Sequence, residues 1–180
     1  MTRSFRLLYR NSKSKRALVV VPAALVMAVT ALGTAAHSAP MAVPWRVTGN
    51  VVFQMMDSET FGKNPTCHHD NPVVNQGFGQ LPQNIWYYGK CGGEVRAEIH
   101  YKIFGNSDGS VSLGQGNVYL YEGTSDDTRD LDGGFPFGGL YSASIHIPKG
   151  QSVTKTFHVS NTAEDSPDDH ADITITWRNG

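Results

Sequence analysis

Two stretches of the chain concentrate oxygen ligands. "DDTRDLDGG", residues 126–134, carries Asp126, Asp127, Asp130 and Asp132, and "NTAEDSPDDH", residues 161–170, carries Glu164, Asp165, Asp168 and Asp169. Carboxylates crowded in this way repel one another at neutral pH, and a hard cation relieves the repulsion. Calcium suits such a donor set: it takes about six to eight oxygens from carboxylates, carbonyls and water and tolerates flexible loops. The spacing is not that of an EF-hand, because Thr128 stands where the first Asp would be and no Glu closes the loop. A two-loop calcium site would draw on Asp130 and Asp132, with Asp126 or Asp127 and one or two of Asp165, Asp168 and Asp169. The competing reading is a pair of solvated turns, since Asp, Ser, Gly and Pro are favoured there for backbone reasons alone.

"CHHD", residues 67–70, offers two imidazoles. Adjacent side chains diverge on an extended backbone, so a tetrahedral zinc or copper site would need ligands from elsewhere. His100, His146, His158 and His170 are scattered, and no HExxH spacing occurs. Cys67 and Cys91 are the only two cysteines. In an oxidising compartment they are expected to pair, and closing a loop of about 25 residues contributes roughly 3 to 4 kcal/mol. Without a C-x-x-C spacing to lower a thiol pKa, the bridge reads as structural.

Trp86, Tyr87 and Tyr88 stand together in "NIWYYG". They read as core and edge residues of a strand or, if exposed, as a binding surface: a stacking platform for sugars or a hot spot for a protein. Catalysis finds less support in the pattern. There is no G-x-S-x-G elbow, and "GQG" at 114–116 lacks the helix a phosphate loop requires. Paired carboxylates hydrolysing a glycoside keep a small secreted hydrolase among the alternatives.

Whether these groups meet depends on the elements that carry them. The N-terminus, "MTRSFRLLYRNSKSKR", has six positive charges and leads into "ALVVVPAALVMAVTALG" and the small-residue run "TAAHSA". This is the pattern of a signal peptide. The apolar run, about 17 residues, approaches spanning length, but the small residues after it favour removal over a retained anchor. Residues 1–39 are therefore expected to be cleaved near 38–39, leaving 40–180 as one secreted domain. Removing six of fifteen basic residues leaves nine against sixteen acidic ones, a net charge near −7. Such a surface excludes wrapping a nucleic acid, and it argues against anionic membranes.

Period-two alternation dominates residues 40–180. Val95, Ala97, Ile99, Tyr101 and Ile103 share one face, as do Tyr141, Ala143, Ile145 and Ile147. Val153, Phe157 and Val159 form a third set broken by Lys155, and Ala171, Ile173, Ile175 and Trp177 a fourth. "WRVTGNVVFQM" reads as a first strand interrupted at "TGN", and nineteen glycines with nine prolines suit short strands joined by turns. Strands with one polar face must cover one another. The expected fold is all-β, a two-sheet antiparallel β-sandwich of immunoglobulin-like, jelly-roll or C2-like kind, with a small β-barrel as the alternative.

"IPKGQS" is short enough to make a hairpin of the strands near 140–147 and 152–159. Counting reversals from it, the loops 123–139 and 160–170 fall at one end of the domain. If "NIWYYG" is a strand, "CHHD" falls at the opposite end. The 28 residues from Met56 to Gln83 are long for a structureless connection, which argues for a functional loop or an unrecognised element. The leading expectation is a secreted non-catalytic binding or structural module whose acidic loops bind Ca2+ and whose partner is an extracellular protein or glycan. The alternative is a secreted inhibitor or toxin-like effector acting through the 56–83 loop.

Overall fold

A computed structural model describes residues 42–59, 61–139, 145–162 and 169–180. The expected leader, the inward positions Tyr141 and Ala143, and the candidate ligands Glu164, Asp165 and Asp168 lie outside the described residues. Nine strands are present among them: β1 (Pro44–Met56), β2 (Thr66–Phe78), β3 (Gln83–Cys91), β4 (Val95–Gly105), β5 (Val111–Tyr121), β6 (Leu131–Phe137), β7 (Ile145–Ile147), β8 (Ser152–Ser160) and β9 (His170–Asn179). They form two antiparallel sheets, ordered β2-β1-β9-β8 and β3-β4-β5-β6, with β7 also paired to β5. The architecture is the expected β-sandwich.

The alternation read from the sequence sets the core. Every inward position named for β4 and β9, from Val95 to Ile103 and from Ala171 to Trp177, is buried. Val47, Val51 and Phe53 of β1 and Val118 and Leu120 of β5 join them. Tyr101 and Trp177 meet edge to face across the sheets, ring centroids 5.6 Å apart. Each buried aliphatic side chain contributes roughly 1.5 to 3 kcal/mol relative to exposure. Lys155, the charge that breaks the β8 stripe, is exposed on a sheet-edge strand, where a lysine discourages pairing with another chain.

Two expectations are corrected, and the 56–83 segment holds the unrecognised element that its length allowed. β1 runs unbroken through "TGN", because Gly49, at φ 151°, lets the backbone pass β9 where a Cβ would lie 1.9 Å from the Thr176 carbonyl oxygen. The long 56–83 connection contains β2, paired with β1 along its whole length from Met56–Thr66 to Pro44–Phe78. The sequence hides that strand because its inward side is Cys67, His69, Asn71, Val73, Asn75 and Gly77, with little apolar signal, and because it contains Pro72. Proline is tolerated there because β2 is an edge strand. With 66–78 ordered in a sheet, the inserting loop of the inhibitor reading shrinks to the short connections on either side.

The expected "IPKGQS" hairpin is the second correction. The segment is not a hairpin: β7 pairs with β5 and β8 with β9, so the chain crosses between sheets at this turn. Nine residues of β8 find partners on β9, whereas β7 offers three. Asn179 fixes the crossing, its side-chain amide donating to the carbonyls of Gly109 (3.0 Å) and Ile147 (3.1 Å). Direction reverses at a crossing as it does at a hairpin, so the acidic segments still fall at one end.

Candidate functional site

Two regions bring chemistry-bearing side chains together. The first is the end of the sandwich where β1 finishes, β5 turns into β6 and β9 begins. The Cys67–Cys91 disulfide, with Cα atoms 5.5 Å apart, staples β2 to the end of β3 here and so ties one sheet to the other. "CHHD" is the opening of β2 and lies at this end, not the opposite one. Counting reversals misplaces it because β2 adds a strand, and so a reversal, to the chain. His69 Nε2 lies 2.6 Å from the Lys90 carbonyl oxygen.

The segment 123–139 is not one loop: β6 occupies 131–137 and pairs back on β5, leaving a turn at 122–130. Asp126 and Asp127 of that turn meet cations of their own chain. Lys90 Nζ lies 3.1 Å from Asp126 and 2.8 Å from Asp127. Arg96 donates to the Asp126 carbonyl at 2.6 Å while its guanidinium sits 4.5 Å over the Tyr121 ring. The ammonium holds the Asp127 carboxyl below its usual range, and the two carboxylates raise Lys90 in return. Asp130 is exposed, its backbone N–H donating to the Thr128 hydroxyl at 3.1 Å. Asp132 accepts the Glu122 backbone N–H at 2.9 Å.

A more buried set of carboxylates lies between the sheets. Asp57 is 2% exposed, and its Oδ2 has no hydrogen-bond partner among the described residues. It rests on Gly92, where φ is 63° and a Cβ would clash with that oxygen. Burial, then Glu59, Glu94 and Glu122, push its pKa up to about 6. Glu122 is also held well above the ordinary range, by burial first and by hydrogen bonding with Asp169 second. Asn161 donates to Glu122 Oε2 at 2.6 Å, and Asp169, 1% exposed, accepts the Ser58 backbone N–H.

Of the eight carboxylates proposed as ligands, Asp132 and Asp169 thus approach the inter-sheet cluster, and Asp126 and Asp127 turn outward to Lys90. Among the described residues no three His, Cys, Asp or Glu side chains stand together so as to hold a metal ion. Sequence reading missed Asp57 and Glu122. The signal was present: Asp57 continues the inward phase of Phe53 and Met55, Glu122 that of Val118 and Leu120, and Asp169 precedes that of Ala171 and Ile173. Each carboxylate is carried into the sandwich by the same alternation that buries the core.

The second region is the outer face of the five-stranded sheet. Trp86 and Tyr88 point outward, 58% and 46% exposed, while Ile85 and Tyr87 pack against the core. The expected trio therefore divides between surface and interior. Trp86 and Tyr88 stack with centroids 5.5 Å apart, and a line of rings continues through His100 (6.1 Å from Trp86), Tyr119 (5.4 Å from His100) and Tyr121 (6.0 Å from Tyr119). Glu98 lies among them, bound by Arg96 Nε and His100 Nε2, each at 2.7 Å. His100, Tyr119, Tyr121 and Glu98 do not stand out in the sequence as a surface, because strand pairing alone brings them beside Trp86.

Compared with known proteins, the chain matches no family model and no curated protein.

Proposed function

We propose that residues 40–180 form a secreted, non-catalytic binding module that engages an extracellular partner through the outer face of the five-stranded sheet. The observation that carries this reading is the line of rings that runs from exposed Tyr88 and Trp86 through half-buried His100 and Tyr119 to Tyr121. Large aromatic side chains left open to water on a disulfide-stapled sandwich supply contact area at little entropic cost. The leader pattern of residues 1–39 and a disulfide suited to an oxidising compartment support export.

Intrinsic fluorescence tests the reading. Of the three tryptophans, Trp45 and Trp177 are buried and Trp86 is open, so acrylamide quenching reports mainly on Trp86. Protein bound to envelope fragments of its source organism should lose that quenching. Bound protein whose quenching is unchanged would exclude this face as the contact.

A second reading assigns Ca2+ to the acidic end. Its support is the buried Oδ2 of Asp57, which has no hydrogen-bond partner among the described residues and lies in the negative field of Glu59, Glu94 and Glu122, a charge that an ion would neutralise. Glu164, Asp165 and Asp168 fall in the connection between Asn161 and Asp169. Unfolding temperature in EDTA, in millimolar calcium and in magnesium tests this: a rise specific to calcium supports a site, and equal values in all three remove it.

A further inference from the structure

We infer that the outer face of the five-stranded sheet carries a saccharide subsite at the β4–β5 bulge, built on Trp86 and selective for a neutral glycan; this rests on the binding-face reading above. An open concavity of about 440 Å³ lies there, with Asn84, Trp86, Glu98, His100, Lys102 and Gln115 along its wall. The size falls within the range of about 300–1,000 Å³ usual for small-ligand sites.

The bulge makes the hollow. His100 pairs with Asn117 and Lys102 with Gly114, so Gln115 and Gly116 together oppose the single residue Tyr101. Gln115 is held in the left-handed region, φ 51°, and its N–H donates to the Gly138 carbonyl at 2.6 Å. A non-glycine residue in that conformation is strained and persists where surrounding structure enforces it, often at ligand sites. Here it changes the phase of β5, so that Gln115 joins Asn117, Tyr119 and Tyr121 on the outer face.

The chemistry around the hollow fits a sugar better than a protein. A sugar ring presents C–H groups to an aromatic face and hydroxyls, donors and acceptors at once, around its rim. Trp86 supplies the face. Lys102 donates, the amides of Asn84 and Gln115 do both, and Glu98 accepts from a position already fixed by Arg96 and His100. The core of a protein–protein contact is instead depleted of charge, whereas Glu98, His100 and Lys102 line this hollow. The net charge near −7 of residues 40–180 disfavours an acidic polysaccharide.

Calorimetric titration with neutral hexasaccharides of glucose, N-acetylglucosamine, xylose and mannose, each to about 1 mM, tests the assignment. At least one should bind. Trp86→Ala should weaken it about tenfold or more, the equivalent of one good stacking contact, and Gln115→Ala severalfold, while Trp86→Phe retains part of the affinity. Unchanged unfolding temperatures would show that these exposed-face variants fold. Failure of all four sugars, or binding indifferent to Trp86 and Gln115, would overturn the subsite. Adhesion to protease-treated and periodate-treated cells of the source organism separates the two readings. Adhesion that needs Trp86, is lost to protease, and persists both after periodate and in the presence of all four hexasaccharides overturns the glycan and leaves the binding face. Adhesion indifferent to Trp86 overturns both.

Discussion

Replacing Asp57 by Asn should change how the stability of the domain depends on pH. In the folded state the Asp57 carboxyl is buried, has no partner for Oδ2 among the described residues and is pushed by burial from an ordinary value of 3.8 up to about 6. A carboxyl raised in this way contributes its full stability below the unfolded pKa and loses it as pH rises through the folded one. The window therefore runs from about pH 4 to about pH 7. At about 1.4 kcal/mol for each pH unit between 3.8 and about 6, the full loss is about 3 kcal/mol, of which roughly 2.5 kcal/mol falls above pH 4. Asn at this position cannot ionise, so its share of the loss disappears. The amide brings its own cost, a buried N–H₂ seeking acceptors, but that offset is independent of pH. The difference in unfolding free energy between Asp57→Asn and the wild type, taken from urea titrations at pH 4 and pH 7.5, should move by roughly 2.5 kcal/mol in favour of the variant. A difference that stays constant across this range, or moves the other way, would refute the claim that Asp57 is a buried charge in conflict with its surroundings.

Other perturbations have equally definite outcomes. Replacing both Cys67 and Cys91 by Ala should lower stability by roughly 3 to 4 kcal/mol in denaturant titration, since the bridge closes a 24-residue separation and joins the two sheets. Hydrogen exchange in that variant should quicken first at the β2–β3 end near Lys90. Gly49→Ala should cost about 3 kcal/mol by the same assay, because the added Cβ meets the Thr176 carbonyl in the middle of the β1–β9 pairing. Lys90→Ala should leave the fold intact but raise proteolysis within 123–130, the turn whose Asp126 and Asp127 it holds. A turn as resistant as before would show that its order comes from its own backbone bonds.

The physics that makes β4 and β9 readable is the same that hides other parts. A half-buried strand whose inward residues are all apolar declares itself by alternation, and both strands stand where the pattern puts them. β2 has the geometry without the composition: it turns a cysteine, a histidine, two asparagines and a glycine inward, half-buried, beside buried Val73, so only pairing with β1 reveals it. A four-residue turn serves a hairpin and a sheet crossing alike, so 148–151 could not distinguish them. The fate of "DDTRDLDGG" is invisible locally, because Lys90 and Arg96, which meet it, lie 37 and 30 residues away. Two features were recoverable. Cys91 must face inward to reach Cys67, which fixes Tyr87 and Ile85 inward and Trp86 and Tyr88 outward. Extending the inward phase past each strand end places Asp57, Glu122 and Asp169 between the sheets.

The central claim, that the ring-lined face is where the module meets its partner, is tested most directly by adhesion to intact cells of the source organism. Wild-type protein should be compared with Trp86→Ala combined with Tyr88→Ala, after matching unfolding temperatures show that both fold. The account predicts that the wild type is retained and the double variant washes away, with Phe61→Ala, a change at an exposed ring off this face, retained like the wild type. Retention of the double variant equal to that of the wild type would contradict it.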